Sequence, residues 1–523
     1  FVHITLMTMY HYLKYAVFCF ALLFWCDASL QGQTTLFNGV EVPGVVIKHS
    51  PASTDLYLGS PSIAVLPNGD YIVSHDYFGP GSTGPARTDV YRSTDQGLTW
   101  TLRSVLFNQY WSNLFVQGND LYILGTSGGY NDLVIRKSTN GGATWTTPTA
   151  STNGIIRDST TEAYHTAPVP VVVADGRVWR AFEDNGDGGG WPYHFRAGMM
   201  SAPVGSNLLD AANWTFTNML SGDESFLPYN TQAPENGGYF RGWLEGNAVV
   251  DPDGQVVNVL RIDVESGRPE KAAIARVQDV NTLTIDPVND IVPMNGASKK
   301  FTIRYNEYTG TYWTLSNIIN ISNYNPSALP NGIRNIVAVM QSTNLTDWNV
   351  EQIVLQDLSD VSKIGFQYLD WQFDGRDIIA VSRTSYPDGL GGADNYHDAN
   401  FINFHRFEDV LPIPDLEGDL DGDGFVGISD LNLVLSNWNL AIPRVIPCRP
   451  FGRFICGDRR PQRRPGQLNT GIPPSGEAAI PRAWEPDVPG YRRFELIPTR
   501  GKSVVSSKIV TPGDVPCSCE THV

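Results

Sequence analysis

Six segments set an ionisable side chain directly after, or inside, a short apolar run: Asp76 in Ser-His-Asp-Tyr-Phe, His165 in Glu-Ala-Tyr-His-Thr, Glu183 in Ala-Phe-Glu-Asp, Asp370 beside Trp371, Arg383, and His397 in His-Asp-Ala-Asn. Carboxylates in pairs do the work of glycoside hydrolysis, one protonating the leaving oxygen and the other stabilising an oxocarbenium-like centre. Indole and phenol faces such as Trp371 stack on sugar C–H surfaces. His165 and His397 open a second chemistry, since an imidazole beside a tyrosine or arginine can abstract the proton next to a uronate carboxylate, which is lyase chemistry. A separate acidic group lies at Asp419, Asp421, Asp423 and Asp430, loop positions 1, 3, 5 and 12, with Gly424 at position 6. That spacing fits an EF-hand-type Ca2+ loop with Asp in place of the usual Glu.

The elements that must carry these groups are short strands. Ser62–Ser74 and Asn247–Val259 each read as two apolar strands around an Asn-Gly or Asp-Gly turn, the strongest short-range hairpin signal. Similar pairs run over Val169–Phe182 (turn Asp175-Gly176), Tyr305–Leu315 (Thr309-Gly310) and Leu369–Ser382 (Asp374-Gly375). No long helical period competes with them. Two segments repeat: Ser93-Thr-Asp-Gln-Gly-Leu-Thr-Trp100 and Ser138-Thr-Asn-Gly-Gly-Ala-Thr-Trp145, with looser versions at Ser342–Trp348 and Asp210–Trp214. Their Asp or Asn caps the turn amides and Gly supplies positive φ. Recurring four-strand units indicate an all-β protein of the β-propeller type, in which polar strand ends converge on one axial pocket.

Composition agrees with this class. The 523 residues carry 54 acidic and 37 basic side chains, a net charge of -17, with 50 Gly and 13 Trp and only 17% charged residues. That suits a turn-rich β protein and argues against nucleic acid as a partner. The six Cys lie at 19, 26, 448, 456, 517 and 519, so no disulfide framework supports the central region. Residues 1–32 read as a signal peptide, with Lys14 leading into the apolar run Tyr15–Trp25 and small residues at Ala28 and Gly32, which predicts secretion.

The repeated Ser-x-Asp-x-Gly-x-Thr-Trp segments resemble the Asp-box (BNR repeat) of sialidases (neuraminidases). Further similarity lies in Glu245-Gly-Asn-Ala-Val-Val-Asp-Pro-Asp-Gly-Gln-Val-Val-Asn-Val-Leu-Arg261, in Arg334-Asn-Ile-Val-Ala-Val-Met-Gln-Ser342, and in Gly365-Phe-Gln-Tyr-Leu369. The resemblance implies a six-bladed β-propeller and an exo-α-sialidase-like glycoside hydrolase in which Glu245 activates a nucleophile and Arg261 and Arg334 clamp a substrate carboxylate through bidentate forks. Two positions depart from the pattern. Phe366 stands where the tyrosine nucleophile belongs, so either Tyr368 takes the role or there is none, and Gly59-Ser60-Pro61 lacks the first substrate arginine. Asp76 lies nearest the expected acid, with Asp89 as competitor.

The acidic loop and the following Leu431-Asn-Leu-Val-Leu resemble a dockerin repeat, which implies a cohesin-like protein or cell-surface scaffold as partner. Only one repeat is evident. A back-translation of Gly457–Leu468 read one base out of frame gives Gly-Ile-Asp-Asp-Leu-Asn-Val-Val-Leu-Gly-Asn, close to Gly427–Asn437. The expected plan is therefore a signal peptide (1–32), a sialidase-like propeller (42–410), a linker (411–416), a dockerin-like α module binding Ca2+ (417–440) and a frameshifted or disordered tail (443–523). The expected function is a secreted, monomeric glycosidase on extracellular glycans, needing no cofactor in the propeller. The expected catalytic residues are Glu245, Asp76, Tyr368, Glu183 and Asp370, and the substrate-binding residues Arg261, Arg334, Arg383, His165, His397 and Trp371. The alternatives are a polysaccharide lyase on uronate polymers and a non-catalytic glycan-binding propeller.

Overall fold

The computed structural model describes residues 33–186, 191–222 and 240–412, together with Leu431. The signal segment, Asp419, Asp421, Asp423 and Asp430 of the calcium loop, and the tail lie outside the described residues. Six antiparallel sheets follow one another along the chain, each four strands deep from axis to rim. The first blade comprises Tyr57–Val65, Tyr71–Phe78, Arg87–Ser93 and Thr101–Phe107, and the second Tyr110–Gln117, Asp120–Thr126, Leu133–Ser138 and Ile155–Arg157. In the third, the two inner fragments Tyr164–His165 and Val172–Ala174 both pair with Arg177–Asp184, which is followed by Arg196–Pro203. The fourth begins with Phe240–Val250, Val256–Val264 and Lys271–Asp279, and the fifth with Thr302–Asn306, Thr311–Asn317 and Ile336–Ser342. The sixth has Gly365–Asp374, Asp377–Ser385 and Phe401–Phe407, and its rim strand is Val45–His49 from the other end of the chain. A hairpin, Thr34–Phe37 with Val40–Pro43, precedes that closing strand.

The five hairpins anticipated from their turns are the two innermost strands of the first, third, fourth, fifth and sixth blades. Between each neighbouring pair of blades lies one apolar cluster, such as Trp179, Met199, Trp243, Leu260 and Ile262 between the third and fourth. Complete burial of one such side chain stabilises by about 1.5–3 kcal/mol. The repeated Ser-Asp and Ser-Asn turns connect the third strand to the rim strand. In both, the serine hydroxyl accepts the glycine amide at 2.9 Å and the indole donates to a glycine carbonyl at 3.0 or 3.1 Å.

Four inner strands share one irregularity. Their ladders slip at Ser60-Pro61, Trp111-Ser112, Glu245-Gly246 and Tyr368-Leu369, and the first residue of each pair has a φ between 45° and 57°. A β-bulge sets two residues against one and re-aims a side chain. Non-glycine residues in this backbone region are strained and tend to collect at functional sites. Directly after each bulge comes a buried polar residue: Ser62, Asn113, Asn247 and Asp370. Each bonds to the next blade. Ser62 accepts the Leu114 amide at 2.9 Å, Asn247 the Ile303 amide at 2.9 Å, Asp370 the Ile63 amide at 3.0 Å, and Asn113 the Arg180 Nε at 2.6 Å.

Candidate functional site

The bulges lie near the starts of the inner strands, so the residues beside them gather at one mouth of the axial channel. The connections from the third to the rim strand, including the Ser-Asp turns, lie at the opposite end. At this mouth the Tyr368 hydroxyl donates to Glu245 Oε1 at 2.7 Å, and Arg261 Nη1 donates to Glu245 Oε2 at 2.7 Å. Glu245 and Arg261 are 2% and 0% exposed. Burial alone would raise the Glu245 pKa, but the Arg261 charge and hydrogen bond outweigh it and hold the carboxyl below its ordinary value. Burial, together with the Glu245 charge, pushes the Tyr368 phenol up, against the pull of Arg261, Arg383 and Arg334.

Phe366 is fully buried in the cluster between the fifth and sixth blades. The bulge explains how Tyr368 escapes the same fate. Two residues of simple alternation would have placed it on the face of Phe366, yet the ladder slips after Gln367 and both Gln367 and Tyr368 turn to the mouth. Gln367 Oε1 accepts from Arg334 Nη1, and from Arg383 Nη2 at 3.2 Å. The Arg383 and Arg334 guanidiniums stand 4.6 and 5.7 Å from the Tyr368 ring centroid. Three guanidiniums therefore surround the phenol despite the missing arginine of the first blade. Arg261 Nε and Nη2 and Arg383 Nε are buried with no hydrogen-bond partner among the described residues, which leaves donors for an oxyanion.

Two further carboxylates flank this pair. Glu183 accepts from His165 Nδ1 at 3.0 Å and from the Gly246 amide, next to Glu245, at 3.1 Å. Asp76 pairs across the ladder with Gly59, accepts from the Trp111 amide at 2.6 Å and from Thr88 Oγ1 at 2.6 Å, and is 1% exposed. Burial raises its pKa to about 7, despite the opposing hydrogen bonds of Thr88, Trp111 and Ser60. A carboxyl of this kind keeps its proton near neutrality and can deliver it. Burial raises the Tyr110 phenol, with Asp76 and Tyr368 adding to the rise and Arg383 opposing it. The competitor Asp89 is closed by a bidentate Arg87 fork at 2.7 and 2.9 Å and by the Tyr77 hydroxyl at 2.8 Å.

Two expectations are corrected. Asp370, expected to be catalytic, accepts from Ser62 Oγ at 2.7 Å, from the Ile63 amide and from Arg304 Nη2 at 3.1 Å. It is the blade clasp of the sixth inner strand, equivalent to Ser62, Asn113 and Asn247. Trp371, expected as a sugar platform, is 0% exposed and donates its indole N–H to the Thr302 carbonyl at 2.9 Å. Its faces are inside the core. His397 is half-exposed, bonded to Asp398 at 2.8 Å, and its partial burial and the Arg383 charge hold its pKa below the ordinary imidazole value.

The aromatic surface at this mouth comes from residues without a spacing signature. The Trp111 ring lies 4.6 Å from His165 and 5.3 Å from Tyr130, and the exposed Trp191 covers Arg261 at 5.7 Å, with Tyr193 exposed beside it. The mouth is thus divided, aromatic on the second and third blades and cationic on the fourth to sixth. An ionisable residue offers a sequence clue through its type, whereas Tyr130, Trp191 and Tyr193 had only their position after a second strand, and Trp111 its place at the start of an inner strand, to give them away.

Among known proteins, no family model matches this chain and no curated protein matches it. Solved structures that align with it include an α-L-arabinanase of Penicillium chrysogenum, with 15% identity, TM-score 0.44, and coverage of 70% of this chain and 98% of that one. A Hadza microbial sialidase aligns with 13% identity and TM-score 0.47 over 71% and 70% of the two chains. A sialidase of Trypanosoma rangeli aligns with 14% identity and TM-score 0.42 over 78% and 62%.

Proposed function

We propose that the chain is a secreted glycoside hydrolase that removes an acidic terminal sugar from extracellular glycans, in the manner of an exo-α-sialidase. The observation that carries this reading is the Tyr368–Glu245 hydrogen bond at 2.7 Å inside a ring of three arginines. A phenol has no charge to repel an anionic sugar, and Glu245 stands ready to take its proton. Tyr368 Oη attacks the anomeric carbon as its proton passes to Glu245, while Asp76 gives its proton to the departing glycosidic oxygen. The product is a glycosyl-tyrosine. Water then attacks the same carbon, Asp76 takes the water's proton, and the phenolate leaves and recovers its proton from Glu245, with net retention. Arg261, Arg334 and Arg383 hold the carboxylate, and the leaving glycan lies over Trp111 and Tyr130 on the side of Asp76.

A second reading is a uronate lyase, favoured by the His165–Glu183 pair at 3.0 Å, in which Glu183 orients an imidazole whose charge acts on Glu245. Sialosides, neutral oligosaccharides and uronate polymers offered to the protein separate the readings. New reducing ends without ultraviolet absorbance support the hydrolase. Unsaturated product absorbing in the ultraviolet supports the lyase, and binding without either product supports a glycan-binding propeller. Ca2+ held by Asp419, Asp421, Asp423 and Asp430, and a cohesin-like partner, remain part of the proposal for the region after the propeller.

A further inference from the structure

Pairing of the sixth inner strand is interrupted between Gln367 and Asp370, so Leu369 has no ladder partner. The carbonyls on either side of the bulge are held from the fifth blade. Asn317 Nδ2 donates to the Phe366 carbonyl at 2.6 Å, and Lys300 Nζ donates to the Leu369 carbonyl at 2.7 Å. Lys300 also donates to Thr302 Oγ1 at 2.6 Å, whose hydroxyl donates to the same Leu369 carbonyl at 3.1 Å. Lys300 as a whole is 1% exposed. Its chain neighbour Lys299 is equally buried but is neutralised by Glu270 at 2.5 Å. Lys300 has no such ion pair among the described residues, only neutral oxygens.

A buried cation satisfied by neutral acceptors alone is costly, and burial accordingly draws the Lys300 pKa down to about 8, against the attraction of Asp370 and Glu245 and with the help of Arg304. A methionine would fill the same volume without that cost. What the charge supplies is a strong, directed bond to one carbonyl, the one immediately after the strained Tyr368. We propose that Lys300 is a positioning residue that, by gripping the Leu369 carbonyl, fixes the bulge carrying the Tyr368 phenol against Glu245. The inference rests on Tyr368 being the reacting group in the function proposed above.

The test uses the full chain labelled with 3-fluorotyrosine, read by fluorine NMR without substrate, with Tyr368→Phe identifying the resonance. In Lys300→Met the Tyr368 signal is expected to move and broaden while the other tyrosine signals keep their places. Thr302→Val, which removes only the bridging hydroxyl, is expected to move the same signal less. On the glycoside that the wild type cleaves, Lys300→Met lowers kcat by about 10- to 100-fold with little change in KM, as expected for a misplaced reacting group. A Tyr368 signal unmoved in folded Lys300→Met overturns the proposal. If that variant does not fold, an unmoved signal in Thr302→Val does so. Because the resonance needs no substrate, a protein that cleaves no glycoside refutes the functional reading without obscuring this result.

Discussion

The Tyr368 hydroxyl and Glu245 Oε1 meet at 2.7 Å although the two residues are 123 positions apart, on the sixth and fourth blades. Each is the first residue of a bulge, and each has a left-handed backbone. Tyr368→Phe removes one oxygen and leaves Glu245 paired with Arg261. We expect hydrolysis to fall by at least about 10³-fold, as when a nucleophile is removed, with only a small change in melting temperature.

Glu245→Gln tests the opposite balance. It deprives the buried Arg261 of its counter-charge, so stability should fall by about 3–5 kcal/mol, the usual result of breaking a buried pair. Denaturant titration measures that loss. Unchanged activity in the folded fraction would remove Glu245 from the mechanism.

Asp76 should impose the alkaline limb of the pH profile. Its folded pKa is raised to about 7, so the acid form is lost, and activity with it, as pH rises through 7. The stability contribution has the same sign: it is complete below the unfolded carboxylate pKa and disappears as pH climbs to about 7. Asp76→Asn should abolish the limb and cost about 10²–10⁴-fold on natural glycans, yet keep most activity on aryl glycosides that need no acid. Its melting temperature should fall less between pH 5 and 8 than that of the wild type.

Asp370→Ala separates a clasp from a catalyst. The variant leaves Arg304, Ser62 Oγ and the Ile63 amide without their acceptor. A loss of about 3–5 kcal/mol is expected, with kcat unchanged at a temperature where the protein remains folded. A catalytic deficit without a loss of stability would reverse the assignment.

The divided mouth predicts a split between substrates. Trp111→Ala and Tyr130→Ala should each raise KM by about 10-fold for oligosaccharides, in line with about 1.4 kcal/mol of lost stacking and burial. Small aryl glycosides of the same acidic sugar should be affected much less. Equal effects on both substrates would place the leaving group elsewhere.

The hairpins were legible because Asn-Gly and Asp-Gly turns dictate local backbone whatever surrounds them. The second blade's inner hairpin, turning at Gly118-Asn119, escaped notice because its residues stand in the less diagnostic order. The site was legible in its residue types and not in their roles. Asp370 and Glu245 look alike in sequence, each near an aromatic or apolar strand. Only the aligned bulges reveal that Glu245 occupies the bulge itself and Asp370 the clasp position after it. Tyr368 was left undecided by the spacing because a bulge is a property of two paired strands, and the sequence of one does not disclose it. Arg383 could be suspected as a strand-end charge, but its place beside Tyr368 depends on the slipped register.

The strand Val45–His49 pairs with Phe401–Phe407 at Phe401–His49, Ile402–Lys48, Asn403–Val46 and Phe404–Val45. During synthesis, then, the strand that closes the ring is made before the six blades' inner strands and must wait for Phe401–Phe407. Until the ribosome has released Phe407, the ring is an open arc with bare hydrogen-bonding edges, a ready template for pairing with another nascent chain. A premature stop or a stalled message upstream of Phe401 would produce an aggregation-prone fragment, not a smaller working version.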